Sequence, residues 1–138
     1  MNYLLWALLA LLAYTFVAPL MSIATTDVPS DVAVIVSNTM LVIAAGAIIA
    51  FTREPVAEYL THPDAPYMYA AGICLAVGIL AYYRALAMGP VSVVVPIFGM
   101  FIVTSSLVGF VALDEPITGR KVAGIGFAIV AVYLTAVE

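Results

Sequence analysis

Charge is what this sequence has least of. Its 138 residues include one lysine, three arginines, one histidine and eight carboxylates, and charged residues make up only 9% of the chain. A typical globular domain is about 25% charged and roughly 45–50% apolar. Here 66% of residues are apolar, and the mean hydropathy is +1.22. Twelve charges cannot coat a water-soluble domain of this length, so the ordinary soluble fold is excluded. Cations are the scarcest charges, and the net charge is −4. With no basic patch, nucleic acid is excluded as a partner. With no polybasic tail, attachment through a run of cations on anionic lipid is excluded as well. The single cysteine, Cys74, forbids an intrachain disulfide and leaves any metal site in need of other ligands. No nucleophile, base and orienting group occur at catalytic spacing, and there is no phosphate loop. The sequence therefore offers no catalytic residue, no metal site and no cofactor, and an enzyme is not expected.

What the chain does have is long apolar runs, separated by short polar breaks. The runs cover residues 3–24, 32–52, 65–88, 91–113 and 119–137. The breaks are Thr25–Asp31, Arg53–Pro66, the tight Gly89-Pro90 turn and Asp114–Lys121. About 20 residues, rising about 1.5 Å each, cross a hydrocarbon layer roughly 30 Å thick. Backbone in lipid must satisfy its own hydrogen bonds, and runs such as Leu4–Ala10 do not alternate as barrel strands do. The expected fold is an all-α integral membrane protein, a bundle of five transmembrane helices in a single domain over residues 1–138. The first run lacks a basic flank and is too long for a signal peptide, so it reads as a retained span. Ser30 or Asp31 is placed to cap the second helix and Thr118 the fifth.

Five crossings put the two ends on opposite sides. Arg53, Arg120 and Lys121 fall on one side and Arg84 on the other. The positive-inside rule then predicts a cytoplasmic N-terminus in the cell membrane. The bias is thin enough to permit insertion in both orientations.

Polar residues inside the runs are the candidates for substrate contact: Tyr14, Asn38, Tyr82, Tyr83, Arg84, Pro96 and Thr104. Arg84 is the only charge within a run. It can snorkel to the headgroups, bind an anionic substrate at a cavity mouth, or pair with a carboxylate elsewhere. Adjacent residues on a helix point about 100° apart, so Tyr82 and Tyr83 cannot both face one cavity. One of them can line a pathway while the other sits in the aromatic belt. Pro96 removes a backbone hydrogen bond inside the fourth helix, making either a static kink or a hinge. Thr104 and its serine neighbours either bond their own backbone or meet substrate. Asn38, deep in the second run, needs a partner, for which an interhelical hydrogen bond is the plain expectation. Gly124-x-x-x-Ala128 lets a backbone approach closely, either within the bundle or between copies.

The second half carries a family resemblance. Ala85-Leu86 before Gly89-Pro90, then Ser92, Pro96-Ile97, Glu115, Ile117-Thr118 and Gly124 occur in an order that resembles an EamA domain of the drug/metabolite transporter superfamily. The resemblance implies half of an inverted-repeat transporter. In such proteins a five-helix unit pairs with a second unit of opposite orientation around a central cavity. It implies a small polar or amphipathic metabolite as substrate, moved by alternating access, and a homodimer, possible in antiparallel form through dual insertion. Unlike the small multidrug resistance exporters, a neighbouring family of four helices, it has no carboxylate deep in its first helix. A non-transporting membrane scaffold, an auxiliary subunit and one half of a heteromeric transporter are the alternative readings.

Overall fold

In a computed structural model of the chain, residues 3–113 and 116–136 are described. They form helices and turns, with no strand among them. The elements are α1 (Tyr3–Thr15), α2 (Val17–Ala24), α3 (Ser30–Thr52), α4 (Val56–Tyr59), α5 (Ala65–Met88), α6 (Val91–Gly99), α7 (Phe101–Ala112) and α8 (Gly119–Ala136). The chain divides into two compact units, Met1–Met88 and Gly89–Glu138.

In the first unit α1 and α2 make one apolar rod of 22 residues, interrupted at Phe16. Pro19 accounts for the interruption. It has no N–H to give the Thr15 carbonyl one turn back, and its ring crowds that carbonyl. The Phe16 N–H turns to the Ala13 carbonyl instead, at 3.3 Å. The sequence marked this break with Pro19, yet the run reads there as one uninterrupted helix. α3 ends at Arg53, whose φ of 57° closes the helix in the left-handed conformation, its N–H on the Ile49 carbonyl at 2.7 Å. The polar stretch that follows holds the short α4. It is tied to α5 where the Tyr69 hydroxyl donates to the Leu60 carbonyl at 2.8 Å. α5 packs against α2 and α3. The few residues buried here are mostly small or at the end of α5: Ala18, Ala33, Ala65, Tyr83 and Leu86.

In the second unit α6 and α7 form another 22-residue apolar rod, interrupted at Met100, and α8 packs on both. Val103 and Gly109 are buried. The Lys121 N–H donates to the Thr118 hydroxyl at 3.3 Å, which is the expected N-terminal cap of α8. The cap expected on α3 is absent. Pro29 occupies the capping position without a side-chain bond, and the helix starts at Ser30. Asp31 lies inside its first turn, where the partial positive charge of the helix end favours a carboxylate.

Large apolar side chains stand exposed along every rod: Leu12, Val42, Ile73 and Phe127 are each more than 60% accessible. No polar or charged side chain is buried among the described residues. Such a surface is insoluble in water and suited to lipid. Four helical stretches are long and apolar enough to cross a membrane: Tyr3–Ala24, Ser30–Thr52, Ala65–Met88 and Val91–Ala112. The sequence reading expects a fifth. α8 does form, with 18 residues, but it is not among these four, and its first turn is occupied by Arg120 and Lys121.

Candidate functional site

α5 supplies three of the candidate residues in its last two turns, and their sequence order separates their roles. Tyr83 is buried in the first unit and Tyr82 half-buried, with ring centroids 6.1 Å apart and planes tilted by 50°. The two rings do differ in exposure, as the helical turn between neighbours requires. Arg84 points outward and meets Asp31 from the start of α3. Its Nη2 lies 3.4 Å from Oδ1 and 3.3 Å from Oδ2 of that carboxylate. Both side chains are about three-fifths exposed, at 64% and 60%. Leu80, Ala81, Asp31 and Arg84 line a shallow depression there. The third alternative for Arg84, a carboxylate partner, is thus realised. The pair joins the end of one apolar helix to the beginning of another, at the edge of the rods rather than at their middle.

The expected interhelical bond of Asn38 does not form. Its Nδ2 donates to the Val34 carbonyl one turn earlier, at 2.9 Å. Ser37 beside it does the same to Ala33 at 2.9 Å. Short polar side chains reach their own helix at no cost in backbone rearrangement, and lipid offers them no competing water. Thr104 follows the same rule, donating to the Phe101 carbonyl at 3.1 Å. Tyr14 is 70% exposed on α1. Asn38 therefore lies within the first unit with Tyr14, Tyr82, Tyr83 and Arg84, but only the α5 residues and Asp31 come together. Sequence reasoning missed Asp31 as a site residue. Its signal was available, since a carboxylate opening one span and a cation closing the next fall on the same membrane face.

Pro96 and Thr104 belong to the second unit. Pro96 is inside α6, yet the rod is interrupted one turn later, at Met100. The Met100 N–H takes the Ile97 carbonyl at 3.2 Å, a tighter step than the helix spacing. Gly99 precedes the break, and beyond its chain neighbours and its own helix backbone no atom lies within 4 Å of where its Cβ would be. Gly99→Ala therefore adds helix propensity without a clash. It is expected to raise thermal stability in detergent by up to about 1 kcal/mol. If the interruption works as a hinge, the same variant loses transport while gaining stability. Glu115, one of the residues that carry the family resemblance, lies outside the described residues. His62 is in the polar stretch, where the Asp64 N–H donates to its Nδ1 at 3.2 Å.

Lipid-compatible rods, an ion pair between Arg84 and Asp31 at their edge and polar groups turned onto their own helices define a polytopic helical membrane protein. The chain belongs to the EamA-like transporter family, whose match spans residues 1–137. That family is one of membrane transporters in the drug/metabolite transporter superfamily, so the protein is a multi-pass membrane transporter of that type. No curated protein and no solved structure matches the chain.

Proposed function

We propose that residues 1–138 form a single five-helix unit, with α8 as the fifth crossing. On this reading the unit moves a small polar or amphipathic metabolite by alternating access, in a dimer with a second copy. The observation that carries the reading is Arg84, a cation held by Asp31 over a shallow depression lined by Leu80 and Ala81 at the rim of the apolar rods. An arginine fork suits a carboxylate, and the apolar side chains next to it suit an apolar body. The substrate class is therefore an amphipath with an anionic head, which exchanges with Asp31 for the guanidinium. No carboxylate lies deep in a helix to carry protons, which favours facilitated diffusion or exchange over proton coupling. The reading places the N-terminus in the cytoplasm of a cell whose bounding membrane holds the protein, and it assigns no catalysis to the chain.

Flux into liposomes tests it. Vesicles containing the purified protein are expected to exchange an amphipathic carboxylate faster than empty vesicles, and to discriminate against a matched quaternary amine. No flux of either probe from a folded preparation would leave a scaffold or auxiliary subunit as the better reading.

A further inference from the structure

The longest polar break carries three apolar side chains to which the transport reading gives no part. Val56 and Tyr59 belong to the short α4, Leu60 closes it, and all three are exposed. Leu60 keeps helical geometry, at φ −66° and ψ −26°, so the turn runs on through it. Positions three and four apart share a helix face, which puts Val56, Tyr59 and Leu60 on one side. Glu58 lies two steps beyond Val56, at about 100° each, and falls on the opposite side. The turn therefore has an apolar face and a charged one.

One contact fixes its depth. Tyr69 is four residues beyond Ala65, where α5 begins, a rise of about 6 Å. Side chains on a helix lean toward its N-terminus, so the Tyr69 hydroxyl reaches back to the first turn of α5. There it donates to the Leu60 carbonyl at 2.8 Å. Leu60 is thus level with the end of the α5 span, and the break folds back beside the helix instead of rising into water. Its backbone is closed locally as well. The Glu58 N–H donates to the Pro55 carbonyl at 3.1 Å, His62 to Tyr59 at 3.3 Å and Ala65 to His62 at 2.8 Å. Backbone satisfied in this way loses little on leaving water. The apolar surface continues on both sides, because Phe51 near the end of α3 and Tyr67 at the start of α5 are exposed too. Tyrosines at the end of a span belong at headgroup level.

Charge narrows the kind of surface. The break has one permanent cation, Arg53, against three carboxylates, Glu54, Glu58 and Asp64. Anionic headgroups would repel it, so the drive is apolar burial among zwitterionic ones.

We propose that the Val56–Leu60 turn lies flat in the zwitterionic headgroup layer of the bilayer that α3 and α5 cross, apolar face inward, with Tyr69 as the tether that sets its depth. The inference rests on α3 and α5 as spans and on no choice of substrate. It gives the ends of two packed spans a shared anchor in lipid.

Depth-dependent fluorescence quenching tests the proposal. The full chain, with Cys74→Ala and one new cysteine at a time, carries a nitrobenzoxadiazole label in phosphatidylcholine vesicles. At Leu60→Cys and Val56→Cys the label is expected to be blue-shifted, protected from aqueous iodide and quenched by lipids spin-labelled near the headgroup. Its depth should be about 5–10 Å into the headgroup boundary. At Glu58→Cys the same label should stay in water, which separates the preference of the turn from that of the label. At Val77→Cys, midway along α5, only quenchers deep in the acyl chains should reach it. Tyr69→Phe keeps the ring and removes the donor, so it should raise iodide access at Leu60 while Val77 stays deep. Iodide access at Leu60 equal to that at Glu58 would overturn the proposal. So would protection of Leu60 from iodide and lipid quenchers alike, because a second copy or another protein would then cover the face. Insertion only after phosphatidylglycerol is added would overturn the zwitterionic assignment, and unchanged access at Leu60 in Tyr69→Phe would overturn the tether.

Discussion

Arg84→Ala is expected to weaken the half-saturation concentration for an amphipathic carboxylate by about 10–100-fold, the loss of a charged hydrogen bond worth roughly 1.5–3 kcal/mol. Folding stability should hardly move. The Arg84–Asp31 pair is largely exposed, and pairs of that kind contribute about 0–1 kcal/mol. The neighbouring variant separates the roles further. Asp31→Asn removes the competitor for the guanidinium, so it should tighten carboxylate binding where Arg84→Ala loosens it. Arg84→Lys keeps the charge but not the fork, and it should recover only part of the affinity. The measurement is initial flux against substrate concentration in liposomes, with thermal unfolding of the same preparations alongside. Unchanged half-saturation in both Arg84 variants, with normal unfolding, would make the pair a clasp between α3 and α5 and nothing more.

Strengthening the charge bias of the polar breaks in either direction should have the other large effect. Asp27→Lys with Val28→Lys adds cations beside Asp31, on the break opposite Arg53. Glu54→Lys with Glu58→Lys adds them on the Arg53 side. Each pair of substitutions should drive the population into a single orientation, because cations near span ends set topology. If the working dimer is antiparallel, either variant alone loses nearly all flux, and the two expressed together recover it. Tag accessibility in whole cells reports the orientations directly. Retained flux from the variant biased toward a cytoplasmic N-terminus would remove the antiparallel arrangement and point to parallel copies or a different partner chain.

The helices themselves were legible because lipid imposes a harsh rule. Every backbone polar group in hydrocarbon must be satisfied within its own segment, so an apolar run of the right length has one solution. Four stretches follow that rule, within a residue or two of the expected boundaries at most ends. Local chemistry was legible too. Thr118 caps α8, and the hydroxyls of Ser37, Thr104 and Ser106 fold back onto their own helices. The sequence also contained, unread, the interruption at Phe16, since Pro19 is three residues beyond it.

The candidate site was legible only as a set of residue types. Arg84 stood out by its charge, but its partner is 53 positions away. Which carboxylate it meets depends on how α3 lies against α5. Asn38 shows the opposite error: an amide in a deep span suggests a neighbour, and its own Val34 carbonyl was nearer.

The sequence by itself determined that this protein lives in lipid, that its chain is helical, and where most of its helices begin and end. Those properties follow from transfer free energy and from hydrogen bonds closed within one turn, both set by residues close in the chain. Only the tertiary structure decided that Arg84 finds Asp31, that Tyr83 is buried while Tyr82 is half exposed, and that Lys121 stands over Phe110. Those contacts depend on the rotation and register of one helix against another. Packing between helices sets them through small residues and shape, which no periodicity in an almost uniformly apolar sequence encodes.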